Sequence, residues 1–249
     1  MSPRKGTASR SIGLLGSGEF EPWTEPVDRW LLERATGDGS VLILPTASAP
    51  EGTKVFDTWA RMGRSHCRRL GVAAEALPVK TRDDANDPSF ARRLEGTSMV
   101  FFSGGNPAYL ARTLAGSAFW LAVLDAMDRG LAYAGCSAGI ASLGPAAPDS
   151  MATIASEGER WQPGLGLFPN TWLAPHWNML ESFAPGITDF IESTVPRETR
   201  LMTIDERTAA VGDGRDWHVV GSGVVQVRTR GRWTKSGAGA NFRAPMLTS

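Results

Sequence analysis

Four short runs of unbroken apolar residues restrict the fold class: Ile12-Gly13-Leu14-Leu15-Gly16, Val41-Leu42-Ile43-Leu44-Pro45, Met99-Val100-Phe101-Phe102 and Leu131-Ala132-Tyr133-Ala134. A strand without polar alternation has both faces covered, which is the condition of a parallel sheet between two helical layers. The intervening segments supply those helices. Val27, Trp30, Leu31 and Ala35 recur at helical spacing after Pro26, and Val55, Trp59 and Met62 do so after the second run. Asn106 precedes Pro107 as an N-cap precedes a first helical position, ahead of Tyr109, Leu110 and Leu114. A further helix over 118–129 sets Trp120, Leu121, Leu124 and Met127 on one face. A third strand is expected over 72–79, and the polar stretch 81–88 reads as a surface loop.

The second half of the chain has a different texture. Residues 144–170 are rich in Pro and Gly and read as a loop region facing substrate. Residues 199–204, 209–211, 217–220 and 224–227 are short β-like runs separated by Gly-Asp-Gly and Gly-Ser-Gly, so the sheet is expected to end in antiparallel strands. The expected fold is α/β: a single-domain three-layer sandwich over residues 11–249, with a mainly parallel sheet, helices on both faces and C-terminal antiparallel strands. Residues 1–10 read as a flexible leader.

Charge and cysteine content narrow the function classes. Lys+Arg and Asp+Glu both total 26, and no basic run is long enough to follow a phosphate backbone, so nucleic acid is not an expected partner. Cys67 and Cys136 are too few for a disulfide framework or a thiolate metal site, which favours a reducing compartment. The apolar run behind the basic opening stops at Leu15, short of a signal or membrane segment. The expectation is a cytoplasmic chain with no membrane partner, monomeric or homodimeric, needing no cofactor and no metal.

Gly135-Cys136-Ser137-Ala138-Gly139 closes the fourth run and opens a small-residue helix. A Ser at such a strand-to-helix turn is held on a strained backbone with its hydroxyl pushed into a cleft, and flanking glycines let the turn close. The following amide, of Ala138, points into the same space at a helix start and can hold an oxyanion. In a parallel sheet the loops after the strands gather at one edge, so Gly104 or Gly105, after the third run, is expected to supply the second donor. Of the three histidines, His176 lies in a Gly-supported segment that reads as buried and is the expected general base. His66 sits on a helix among Arg64, Arg68 and Arg69, and His218 reads as a sheet-surface residue, so both compete poorly.

These stretches together resemble peptidase family S51, which includes peptidase E (aspartyl dipeptidase) and cyanophycinase. The resemblance rests on Phe101-Phe102-Ser103-Gly104-Gly105-Asn106, on Gly135 to Gly139, on Gly164-Leu165-Gly166-Leu167 with His176, and on Thr203-Ile204-Asp205-Glu206-Arg207-Thr208-Ala209. It implies a fold related to the class I glutamine amidotransferases, a Ser-His pair and hydrolysis of small, aspartyl-containing peptides. It implies Asp149 as the triad acid, with Glu157 as the substitute in the same loop, and a structural role for Asp205 and Glu206. Asn106, Trp177, Arg197 and Arg200 are the candidate substrate-binding residues. The segment after His176 has no Lys or Arg before Arg197, whereas the family places basic residues there. Three other readings compete: a silent peptide or small-ligand binder of the same fold, an amidotransferase-like enzyme using Cys136, and an α/β-hydrolase using His218.

Overall fold

The computed structural model describes residues 10–150 and 160–247. Its first half is a succession of β-α units. Strand β1 (Ile12–Leu15) leads to α1 (Glu25–Leu32), β2 (Val41–Leu44) to α2 (Thr53–Leu70), and β3 (Ala74–Ala76) to the short helices α3 (Arg82–Asn86) and α4 (Pro88–Arg92). Strand β4 (Met99–Phe102) feeds α5 (Pro107–Leu114) and α6 (Ala118–Asp128), and β5 (Ala132–Cys136) feeds α7 (Ala138–Ala141). An antiparallel pair, β6 (Ala146–Pro148) and β7 (Trp161–Pro163), precedes β8 (Thr171–Ala174), α8 (Leu180–Phe183) and α9 (Ile187–Thr194). The chain ends in β9 (Arg200–Ile204), β10 (Thr208–Gly212), β11 (Asp216–Gly221), β12 (Val224–Thr229), β13 (Arg232–Gly237) and β14 (Asn241–Arg243).

The apolar runs occupy the middle of an eight-stranded sheet in the order β14-β11-β10-β1-β5-β4-β2-β3. Strands β1, β5, β4, β2 and β3 are parallel, and β10, β11 and β14 continue the sheet antiparallel beyond β1. The period of two in a strand divides each run between two layers. Leu42, Leu44, Val100, Phe102 and Tyr133 pack with Leu110, Leu114, Phe119 and Trp120 of α5 and α6, while Ile43, Phe101 and Ala134 pack with Val27, Leu31 and Cys67 of α1 and α2.

The sequence leads one to expect the C-terminal strands in a single sheet, and the structure divides them between two. Strands β10, β11 and β14 join the large sheet, whereas β9, β12 and β13 combine with β8 in a second sheet of order β13-β12-β9-β8. The crossings lie at Asp205-Glu206-Arg207, with Arg207 at φ 50°, at Gly221-Ser222-Gly223 and at Ala238-Gly239-Ala240. The second sheet buries Leu173, Met202, Ile204, Val225 and Val227 against the main core, and Ala174 and Leu201 against Ile191 and Val195 on the α9 side.

Local differences have local causes. Residues 81–88 are not a loop, because Thr81 and Asp84 form a reciprocal capping box that starts α3. The face of α2 that is buried runs through Phe56, Ala60, Gly63, Cys67 and Leu70, leaving Met62 outside; a Cβ at Gly63 would lie 2.7 Å from Ile43, so the helix approaches the sheet there. On α6, Phe119 and Val123 replace Leu121 in the buried stripe. His66 is buried. Its Nε2 lies 2.6 Å from Asp28 Oδ2 and its Nδ1 3.0 Å from Arg69 Nη2, and Arg69 also donates to the Phe20 carbonyl at 2.9 Å. This cluster ties α1 and α2 to the loop after β1. Among the described residues no single helix is long and apolar enough to cross a membrane.

Candidate active site

Parallel topology brings the carboxyl ends of β1, β4 and β5 to one edge of the large sheet, and the ends of β8 and β9 arrive beside them from the second sheet. At the end of β5 the chain turns at Ser137, φ 52°, ψ −109°, a conformation L residues rarely adopt and that costs about 1–3 kcal/mol. The turn is held by Ser137 N–H donating to the Leu15 carbonyl at 3.1 Å. It closes because a Cβ at Gly139 would lie 2.3 Å from the Phe102 carbonyl oxygen, a gap only glycine fills. At the end of β8, His176 also has a positive φ, 56°.

The two strained residues face each other. Ser137 Oγ lies 2.8 Å from His176 Nε2, and His176 Nδ1 lies 3.0 Å from Glu206 Oε1. A carboxylate only accepts, so Glu206 selects the tautomer with the proton on Nδ1 and leaves Nε2 to accept from the serine hydroxyl. The His176 and Glu206 side chains are 25% and 35% exposed, which leaves the pair reachable by a ligand and by water. Glu206 is itself held: its amide donates to Asn178 Oδ1 at 2.8 Å, tying the loop after β9 to the segment that carries the imidazole. The arrangement can move a proton from Ser137 to His176 while Glu206 carries the compensating charge.

Beneath the turn lies a buried carboxylate, Glu19, 6% exposed. Its Oε1 accepts from the Gly104 amide at 2.8 Å and its Oε2 from the Cys136 thiol at 3.0 Å, so one side chain from the loop after β1 spans the ends of β4 and β5. Burial, and then the Glu19 charge, push the Cys136 thiol well above its ordinary range. Gly105 follows with φ 137°, where a Cβ would meet the Ala47 backbone at 2.3 Å. Among the described residues the amides of Gly105 and Ala138 have no hydrogen-bond partner. Ser137, His176 and Gly105 open onto a cavity of about 340 Å³.

Residues 12–220 match the family described as Peptidase family S51. The chain belongs to peptidase family S51. Among solved structures, this S51 chain is similar to a peptidase from an acI-B1 Actinobacterium, with 30% identity, a TM-score of 0.87, and coverage of 96% of this chain and 99% of that one. It shares the fold of a putative peptidase E protein from Listeria monocytogenes EGD-e at 20% identity and a TM-score of 0.60, covering 85% of this chain and 98% of that one. Among curated proteins none matches.

Several residues that the sequence singled out in this S51 chain lie away from their expected positions. The carboxylate on His176 is Glu206, not Asp149. Asp149 Oδ1 instead accepts from Asn106 Nδ2 at 2.7 Å, and Asn106 Oδ1 caps α5 by accepting from the Tyr109 amide. Glu157 lies outside the described residues. Asp205 has the structural part expected of it, accepting from the Val224 amide at 2.9 Å. Gly104, offered as an oxyanion donor, is turned to Glu19. Trp177 packs against Trp233, Arg197 lines a separate cavity with Asp189, Glu192 and Arg228, and Arg200 opens β9 at the end opposite Glu206. None of these three lines the Ser137 cavity; among the described residues Arg160 is the arginine that does. The sequence reading overlooked Glu19 and Asn178. Glu19 had a signal: a carboxylate directly behind Gly16-Ser17-Gly18, at the end of a buried strand on the same sheet edge.

Proposed function

We propose that this S51 peptidase hydrolyses short peptides by acyl transfer through Ser137, with His176 as general base and Glu206 as the carboxylate that orients it. The observation that carries the reading is the continuous Ser137–His176–Glu206 hydrogen-bond line, at 2.8 and 3.0 Å, on a strained strand-to-helix turn. Ser137 Oγ attacks the peptide carbonyl as its proton passes to His176 Nε2. The amides of Ala138 and Gly105 donate to the developing oxyanion, and His176 then protonates the leaving amine. Water repeats the sequence on the acyl-enzyme. Labelling by a fluorophosphonate tests the reading: adduct formation at Ser137 in the native protein, lost on heat denaturation, is the expected result, and an unlabelled native protein would reject it.

A silent binder of the same fold has no use for the Ser137–His176 bond or for two open amides, and the cysteine reading is opposed by the buried, carboxylate-bound Cys136. His218 faces Asn241 rather than a serine. A second substrate reading, an aspartyl peptide, rests on Arg160 in the cavity wall.

Glu19 acts in this scheme by setting the loops. Its hold on Gly104 fixes the loop that carries the next amide, that of Gly105, at the cavity wall. Glu19→Gln exchanges a double acceptor for one acceptor and one donor. Turnover is expected to fall by about ten- to a hundredfold with Ser137 still labelled, since one misplaced oxyanion donor typically costs ~10²–10³. An unchanged kcat would remove Glu19 from the scheme.

A further inference from the structure

We infer that the Ser137 cavity receives a bulky apolar side chain, aromatic or branched aliphatic, on the residue flanking the scissile bond. This rests on the serine-peptidase reading above and names its substrate class. The cavity of about 340 Å³ lies within the range of small-molecule and short-peptide sites. Four elements build its apolar wall: β7 contributes Trp161, β8 contributes Trp172, α8 contributes Leu180 and Phe183, and α9 contributes Ile187 and Phe190. Trp161 and Trp172 meet edge to face, 4.9 Å apart at 78°, which fixes a rigid aromatic corner. Phe183 stands at the mouth, 62% exposed, with its ring centroid 6.1 Å from that of His176. The Phe183 ring therefore links the imidazole to the apolar wall of the cavity.

Apart from His176, the charged residues of the wall among the described residues sit together. Asp149 and Arg160 are joined across the ends of β6 and β7, where the Asp149 amide donates to the Arg160 carbonyl at 2.7 Å. Asn106 binds the Asp149 carboxylate, and the Arg160 guanidinium lies over the Phe190 ring at 5.1 Å. An acidic side chain directed at the rings of Trp172, Phe183 or Phe190 loses its water without gaining a charged partner among the described residues. A phenylalanine or leucine side chain gains by burial over the same surface.

In a hydrophobic pocket one methylene changes kcat/KM by ~10–200-fold, so Phe or Leu in place of Ala beside the scissile bond is expected to raise it by at least about tenfold. The experiment measures kcat/KM for matched short peptides in which Ala, Asp, Leu or Phe stands on either side of the scissile bond. It is run on the native chain, on Ile187→Trp, which fills the cavity, and on Phe183→Ala, which removes an exposed ring that folding does not need. The expected result is a preference for Phe or Leu over both Ala and Asp at one position, with the Phe-to-Ala ratio collapsing in Ile187→Trp and falling in Phe183→Ala. Equal rates for Ala and Phe, or a preference for Asp, would overturn the inference while a small organophosphate still labels Ser137. Absence of both labelling and cleavage would reject the peptidase reading, and this inference with it.

Discussion

Replacing Ser137 by Ala is expected to abolish peptide hydrolysis, with kcat falling by about 10⁴–10⁶-fold. The size follows from the roles: the hydroxyl is the atom that forms the acyl bond, and among the described residues no other nucleophile lies against His176 Nε2. The turn itself is expected to survive. Alanine at φ 52° carries the same backbone strain as serine, and the flanking contacts of Gly139 are untouched. Thermal melting close to that of the native chain, with turnover at background, is therefore the predicted pair of results. Iodoacetamide provides the counterpart. The Cys136 thiol is buried, donates to Glu19 and is held in its protonated form, so alkylation of the native protein is expected to leave the rate intact. Appreciable turnover in Ser137→Ala, or inactivation at Cys136, would transfer the chemistry to the thiol.

The second large effect belongs to Glu206. Glu206→Gln is nearly isosteric, but a glutamine can present its NH₂ to His176 and so favour the tautomer whose Nε2 carries the proton. That form cannot accept from Ser137, and a loss of about 10³–10⁴-fold in kcat is expected. Asp149→Asn is the control. Asp149 bonds Asn106 rather than His176, and its replacement is expected to alter KM with less than about a tenfold change in kcat. Equal losses in kcat for the two variants would return Asp149 to the role of acid.

Much of the large sheet is legible in the sequence because its physics is local. Continuous apolar runs such as Val41 to Leu44 have one stable environment, and Asn106-Pro107 fixes a helix start by capping alone. The Ser137 turn is legible for the same reason: the glycines that bracket it answer a steric demand written within five residues. Glu206 is not legible in that way. It follows a strand like any polar residue after a sheet, and only the crossing from β9 to β10 brings it to His176, 30 residues away in sequence. The second sheet is hidden too, since β9 and β10 carry similar apolar runs and nothing in either states which sheet it joins. The apolar cavity could not be read at all, as its rings come from three separated segments.

The division of the core into two sheets also affects how activity is lost. Ser137 and the two open amides ride on the large sheet, whereas His176 and Glu206 are carried by the ends of β8 and β9. The proton path therefore crosses a seam between two packed layers, and its 2.8 Å contact exists only while those layers stay in register. Cooperative units of one chain open at different free energies. The second sheet, backed by the short helices α8 and α9, is the natural first to loosen. Under rising denaturant, turnover is then expected to vanish ahead of the helical signal, so that catalysis reports the docking of one layer on the other.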